Sequence, residues 1–362
     1  MAYVLSSAHA ELPYALTQDA IMEFSRELFG ESFKNIERLL QAFKNGQVQT
    51  RYLSNHLEWF KEDRTFAERN DMYINQAVQF GVEAVKKCLT NERFLKREVA
   101  ENEIDAFFYI SSTGIATPTI EARIMNILPF RPHTKRIPIW GLGCAGGASG
   151  LARAFDYCQA YPKAKVLVLS VELCSLTFQK RDISKSNIIG TSLFSDGVSC
   201  ILVCGDDVPA AELSSRDQQF HVLASQSTLM PNSLDVMGWN VKDEGLYVVF
   251  SKDIPTIVKQ WLRPNVTAFL EEYNVTLQDI RYFVAHPGGK KVIEAYQEAL
   301  GFNEEMTSIS MEVLKEFGNM SSATVLYVLE RFMERGGIHG EYGLAVALGP
   351  GFSSELVLMR WN

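Results

Sequence analysis

Long apolar runs are missing from this sequence. Stretches such as Val166 to Val171 stop at a charged residue, here Glu172, and none nears the roughly 20 consecutive apolar residues that a membrane-spanning helix needs. Met1 to Tyr14 have no basic segment followed by an apolar core and a small-residue cleavage site, so no secretory leader is expected. Paired CxxC motifs are missing too. The six cysteines, Cys88, Cys144, Cys158, Cys174, Cys200 and Cys204, stand apart and mostly among apolar neighbours, which fits reduced thiols in a cytoplasmic protein and argues against zinc or another metal. Nor is there an excess of positive charge. A net charge of -8 offers no basic face to a nucleic-acid backbone, although local lysines and arginines can still bind a small anion.

What is present is material for a large core. The 362 residues are 47% hydrophobic and 22% charged, the balance of a globular chain forming one large domain or two fused similar ones. Helical periodicity over Asp19–Phe33 and Tyr73–Leu89 gives way to strand-like runs at Ala106–Ser111 and Ile137–Leu142, and the two types alternate from there, which predicts an α/β architecture. A weak internal repeat stands behind this alternation. The run Glu103 to Ile110 ends at Ser-Ser-Thr-Gly and a helix, and Gln278 to Ala285 ends at His286-Pro-Gly-Gly and a helix. Then Cys144-Ala-Gly-Gly-Ala-Ser-Gly, a helix and the strand Lys165–Glu172 are matched by Asn319-Met-Ser-Ser-Ala-Thr, a helix and the strand Gly343–Gly349. The halves are expected to match element for element, residues 1–210 carrying the cysteine and 211–362 the histidine and asparagine, joined through the polar stretch Asp206–Asp217. Packed about a pseudo-two-fold axis, the turns bearing Cys144, His286 and Asn319 would meet at one crevice.

Each of these residues has a plain structural explanation when taken alone. Cys144 could be a buried residue on a tightly packed helix, His286 a ring bonded to the backbone of a Pro-Gly turn, and Asn319 a helix cap. Together they make a chemical unit. Cys144 ends an apolar strand and begins a Gly- and Ala-rich helix, whose dipole favours a thiolate. The thiolate accepts an acyl group, while the imidazole of His286 and the amide of Asn319 hydrogen-bond to an oxygen that becomes negative. No carboxylate base is needed if the carbon nucleophile forms by loss of carbon dioxide.

Gly143-Cys-Ala-Gly-Gly147, Ser192-Leu-Phe-Ser-Asp-Gly197, His286-Pro-Gly-Gly289, Gly318-Asn319 and Leu348-Gly-Pro-Gly-Phe352, in this order and spacing, resemble the chalcone synthase-like type III polyketide synthases. The resemblance covers nearly the whole chain and is closest to bacterial members, especially the alkylpyrone synthases of bacilli. It implies a thiolase fold, with duplicated αβαβα halves forming a layered sandwich, and a homodimer. It also implies iterative decarboxylative condensation of malonyl-CoA onto an acyl-CoA starter, with CoA thioesters as substrates and no cofactor. Cys144 would hold the growing chain; His286 would help keep it as thiolate and, with Asn319, would drive decarboxylation. Phe194 matches the gatekeeper aromatic, and a second gatekeeper position falls at Val248. Thr117 aligns with the residue that crosses the dimer interface. Thr177, Gly349 and Gly351 are assigned to the acyl pocket, and Arg51, Lys290 and Lys291 to CoA. The small residue at 248 suits a long aliphatic starter.

Three other readings compete. A ketoacyl synthase that initiates fatty acid synthesis uses the same Cys, His and Asn, but it follows the histidine with Gln-Ala-Asn where this chain has Pro287-Gly-Gly. A hydroxymethylglutaryl-CoA synthase needs a glutamate base, for which Glu172 is the candidate. A catalytically silent thiolase-fold partner would usually lack Cys144.

Overall fold

The structure is a computed structural model that describes residues 1–30 and 36–362. The strands are β1 (Ala2–His9), β2 (Tyr14–Thr17), β3 (Thr50–Leu53), β4 (Ala106–Ser111), β5 (Lys135–Trp140), β6 (Lys165–Leu173), β7 (Asp196–Gly205), β8 (Phe220–Leu229), β9 (Met237–Lys242), β10 (Gly245–Phe250), β11 (Ile280–Ala285), β12 (Tyr342–Gly349) and β13 (Ser353–Trp361). Nine of them form one sheet in the order β11-β12-β13-β8-β1-β7-β6-β4-β5, and β2–β3 and β9–β10 form separate two-stranded ribbons.

The sheet reads outward in both directions from the antiparallel contact of β1 with β8. One way runs β7, β6, β4, the first two junctions antiparallel and the third parallel. The other runs β13, β12, β11 with the same pattern of directions. The match is not complete: β5, the strand before Cys144, extends the first half in parallel with β4, whereas Asn319 is preceded by the helix Ser308–Phe317. The local sequences explain this. Lys135–Trp140 alternates exposed and half-buried residues and carries Pro138, which an edge strand tolerates because one side needs no donor. Ser308–Phe317 buries a helical stripe, Ile309, Ser310, Val313 and Leu314.

Two helices lie inside the molecule. Gly146–Ala160 is buried through its first turns, and Thr324–Arg335 buries nine of its residues, Thr324 to Glu330, Phe332 and Met333. Both pack in one apolar cluster with residues of β1, β4, β6, β7, β8, β12 and β13. Their close approach depends on Gly147, where a Cβ would stand 2.2 Å from the carbonyl oxygen of Ser322. The long helix Phe66–Leu89, opened by a capping box between Thr65 and Glu68, covers the outer face of the first half. The helices Ile254–Glu271 and Lys290–Leu300 cover the second. One large sheet, with two helices packed inside the molecule and others covering its outer faces, is the α/β architecture expected from the resemblance. The first expected helix is observed as Gln18–Phe29, and residues 31–33 of that expectation lie outside the described residues. No described helix is long and apolar enough to cross a membrane.

Candidate active site

The three turns expected to converge do so in space. Cys144 sits in the short 3-10 turn Gly143–Ala145 that leads into Gly146–Ala160. His286 follows the last residue of β11 and donates its backbone N–H to Val346 of β12 at 2.8 Å. Asn319 follows Gly318, whose φ of 74° is a left-handed value that glycine adopts freely. All three line one cavity of about 700 Å³, and all are nearly sealed from solvent, with relative exposures of 6%, 2% and 1%.

The Asn319 amide is fixed in orientation. Its Nδ2 donates to Gly288 O at 3.1 Å and its Oδ1 accepts from the backbone N–H of Ser321 at 2.9 Å. The Asn319 backbone is bonded on both sides to the Phe194 segment, its N–H donating to Leu193 O and its carbonyl accepting from Ser195 N, each at 2.9 Å. The asparagine, the histidine turn and the aromatic at 194 are thereby one unit. Neither ring nitrogen of His286 has a hydrogen-bond partner among the described residues, which leaves both for the cavity.

Family models for the chalcone and stilbene synthases match this chain over residues 20–207 with their N-terminal domain and over 221–361 with their C-terminal domain. A Bacillus subtilis (strain 168) protein with a provisional chalcone synthase name is 50% identical over 100% of this chain and 99% of its own. The chain is a type III polyketide synthase of the chalcone and stilbene synthase family. A 1,3,6,8-tetrahydroxynaphthalene synthase of Streptomyces peucetius subsp. caesius is 32% identical over 99% of this chain and 93% of its own. The crystal structure of the enzyme of that name from Streptomyces coelicolor A3(2), a bacterial type III polyketide synthase, superposes with a TM-score of 0.89 at 26% identity and covers 99% of both chains.

Burial governs the charge states of the synthase site. It pushes the Cys144 thiol up to about 12, against the opposing hydrogen bonds of Ser321 and Asn319. It pulls the His286 imidazole down to about 3. The helix dipole expected to favour a thiolate is therefore outweighed by desolvation. Burial disfavours both ions, so a charge on either group calls for a counter-charge that solvent does not supply.

Behind Cys144 lies Glu172, fully buried at the end of β6. Its carboxylate accepts from Ser112 N at 3.1 Å, from Thr113 Oγ1 at 2.9 Å and from Ser322 Oγ. Burial nevertheless raises it to about 7.

The remaining expected residues divide. Lys290 and Lys291 line the cavity with the catalytic candidates. Phe194 and Val248 lie together between two smaller spaces. One, of about 30 Å³, contains Cys144, Trp239, Phe250 and Pro350; the other, of about 60 Å³, is walled by Ile21, Phe24, Phe60, Thr177 and Phe178. Thr177 thus lines the second space, with Phe194 and Val248, and not the one beside Cys144.

Arg51 is not at a surface mouth. It is 2% exposed and donates from Nη1 to the carbonyls of Thr191 and Phe194, because β3 carries it inward beneath the Phe194 segment. Thr117 is exposed and lines none of the cavities just described, so within one subunit it is no part of the pocket wall. Gly349 and Gly351 also lie outside the lining. Gly349 packs on the nucleophile turn, where a Cβ would stand 2.5 Å from Leu142 O, and Gly351 holds a φ of 122°; Pro350 between them faces Cys144.

The sequence reading missed the actual rim, formed by Arg38, Gln41 and Asn45 from the helix Ile36–Asn45 with Lys185 and Lys252. A basic or polar residue at each turn of a helix just before β3 was the available signal. It missed Phe250 as well, two residues beyond Val248 on the same face of β10, with its ring 5.5 Å from that of Phe194. Among the described residues no group of three His, Cys, Asp or Glu is placed to hold a metal ion.

Proposed function

We propose that this synthase performs iterative decarboxylative condensation of malonyl-CoA onto a long-chain fatty acyl-CoA starter and cyclises the product to an alkylpyrone or alkylresorcinol. The observation that carries the reading is the make-up of the cavity. Cys144, His286 and Asn319 stand in a space of about 700 Å³ that has Leu193, Met237, Ile254, Val292 and Leu348 on its walls and Arg38, Lys185, Lys252, Lys290 and Lys291 around it. The cations suit the phosphates of a CoA thioester, and aliphatic walls suit an alkyl chain.

In this reading Cys144 gives its proton to His286 as the acyl thioester is bound and attacks the thioester carbon, and CoA leaves. Malonyl-CoA then enters. The Nδ2 of Asn319, held by Gly288, and the imidazole of His286 donate to the thioester oxygen as carbon dioxide departs. The enolate carbon attacks the acyl carbon and expels the Cys144 thiolate, and the extended chain, now a CoA thioester, returns to Cys144 by the same exchange before the next round. The Asn319 donor is preorganised by Gly288 and Ser321, so it reorganises little as the charge changes. Two copies of the chain are expected to associate, with Thr117 at the contact.

Intact-protein mass spectrometry after mixing with palmitoyl-CoA alone tests the first half of the reading: an adduct of the palmitoyl mass that maps to Cys144 is expected, and an unmodified Cys144 would rule it out. Replacing Cys144 by Ala separates the second half, because malonyl-CoA decarboxylation should persist while chain extension stops.

A further inference from the structure

Tyr296 carries a buried hydroxyl that has no hydrogen-bond partner among the described residues. The residue is 0% exposed, yet it belongs to the wall of the cavity that holds Cys144, His286 and Asn319. It lies on the helix Lys290–Leu300, whose first residue directly follows His286-Pro-Gly-Gly. Helical side chains lean toward the N-terminus of their helix, so Tyr296 leans from about two turns along back toward the turn bearing His286. Its ring is braced edge-on by Phe283 at 5.8 Å. Cys144 is close enough to act on its ionisation, and burial keeps the hydroxyl protonated.

Buried hydroxyls without partners are uncommon because desolvation is not repaid. Val292, Ile254 and Leu348 on the wall of the same cavity are aliphatic and cannot satisfy it. A saturated acyl chain cannot either. A chain that has gained malonyl units has a ketone oxygen on alternate carbons, and each is a hydrogen-bond acceptor that the starter lacks.

We propose that the Tyr296 hydroxyl donates a hydrogen bond to a ketone oxygen of the extended chain on Cys144, so that it favours extended intermediates over the starter and governs how far extension proceeds before release. The inference rests on the reading that Cys144 carries the chain.

Tyr296→Phe in the full-length enzyme is the test, since it removes the oxygen alone and leaves the ring against Phe283. With octanoyl-CoA and malonyl-CoA, rapid quenching and mass spectrometry measure the Cys144-bound starter, the once-extended chain and the released products. Starter loading and the first condensation should be unchanged, whereas later extension should slow about fivefold, the effect of one lost hydrogen bond, and products should shift to shorter chains. The thermal midpoint should be equal or higher. An unchanged product ratio would overturn the proposal, as would equal slowing of loading and every extension, which would mark a merely structural tyrosine. No loading of Cys144 in the unaltered enzyme would instead overturn the function proposed above, and this inference with it.

Discussion

Asn319 donates from Nδ2 to the carbonyl oxygen of Gly288 across 3.1 Å. That bond joins the asparagine turn of one repeat element to the histidine turn of another, and it decides which end of the amide can donate into the cavity. Oδ1 is engaged by Ser321, so the second Nδ2 hydrogen is the one that faces the Cys144 thiol and is available to a substrate oxygen in its place.

Asn319→Asp removes the donor and sets a carboxylate oxygen against Gly288 O. Malonyl-CoA decarboxylation, followed by release of labelled carbon dioxide, should fall about 100- to 1,000-fold, the usual loss for one oxyanion donor. Loading of an acyl group onto Cys144 should survive. Loss of both in equal measure would mean that Asn319 serves the thiol and not the enolate.

Because burial disfavours both ions, a Cys144 thiolate depends on His286 for its counter-charge. His286→Ala should slow alkylation of Cys144 by iodoacetamide at neutral pH by about tenfold or more, equivalent to at least one unit of thiol pKa. An unaltered rate would show that the helix turn alone activates the sulfur.

Val248 and Phe194 flank the cavity containing Cys144, and Val248 lies opposite Trp239 in the β9–β10 ribbon. Enlarging it to Phe should narrow the space beside Phe194. The kcat/KM for stearoyl-CoA relative to hexanoyl-CoA should drop about tenfold, within the range expected of apolar pocket changes. A constant ratio would place the alkyl chain elsewhere.

The rim cations and Arg51 should behave differently. Lys291→Ala should raise KM for CoA thioesters severalfold and weaken its salt dependence, as expected for an exposed charge near phosphates. Arg51→Met should leave that salt dependence unchanged, because the guanidinium is buried beneath Phe194.

Glu172 gives a pH signature in stability. Its carboxyl lies at about 7 in the folded protein against an ordinary 4.5, so the native state holds a proton that the unfolded state has lost between those values. Stability contributed below about 4.5 is therefore lost as pH rises to about 7, a decline of about 3 kcal/mol. Urea unfolding at pH 5 and pH 8 should show Glu172→Gln gaining on the unaltered protein at the higher pH. Parallel curves would place the glutamate in its ordinary range.

The elements that position the site were legible because local patterning specifies them. The apolar runs of β4, β6, β11 and β12 are buried on both faces, and glycines and prolines mark where the chain turns at Cys144, His286 and Asn319. Residues whose roles depend on depth were not legible. Arg51 read as a phosphate contact because the family resemblance assigned that position to CoA, whereas the pairing of β3 with β2 and its packing under Ser195 turn it inward. Nothing in the sequence singles out Tyr296 on its amphipathic helix; its unpaired hydroxyl is visible only once its neighbours are known. The repeat overstated symmetry, since similar turn sequences at Cys144 and Asn319 hide a strand before one and a helix before the other.

The most direct test of the whole account is to incubate the purified protein with malonyl-CoA and acyl-CoA starters from acetyl to stearoyl, and to identify products by mass spectrometry. Alkylpyrones or alkylresorcinols formed from the long starters, without any acyl carrier protein, are the predicted result. Turnover of short or aromatic starters alone, with fatty acyl-CoA inert at every length, would contradict it.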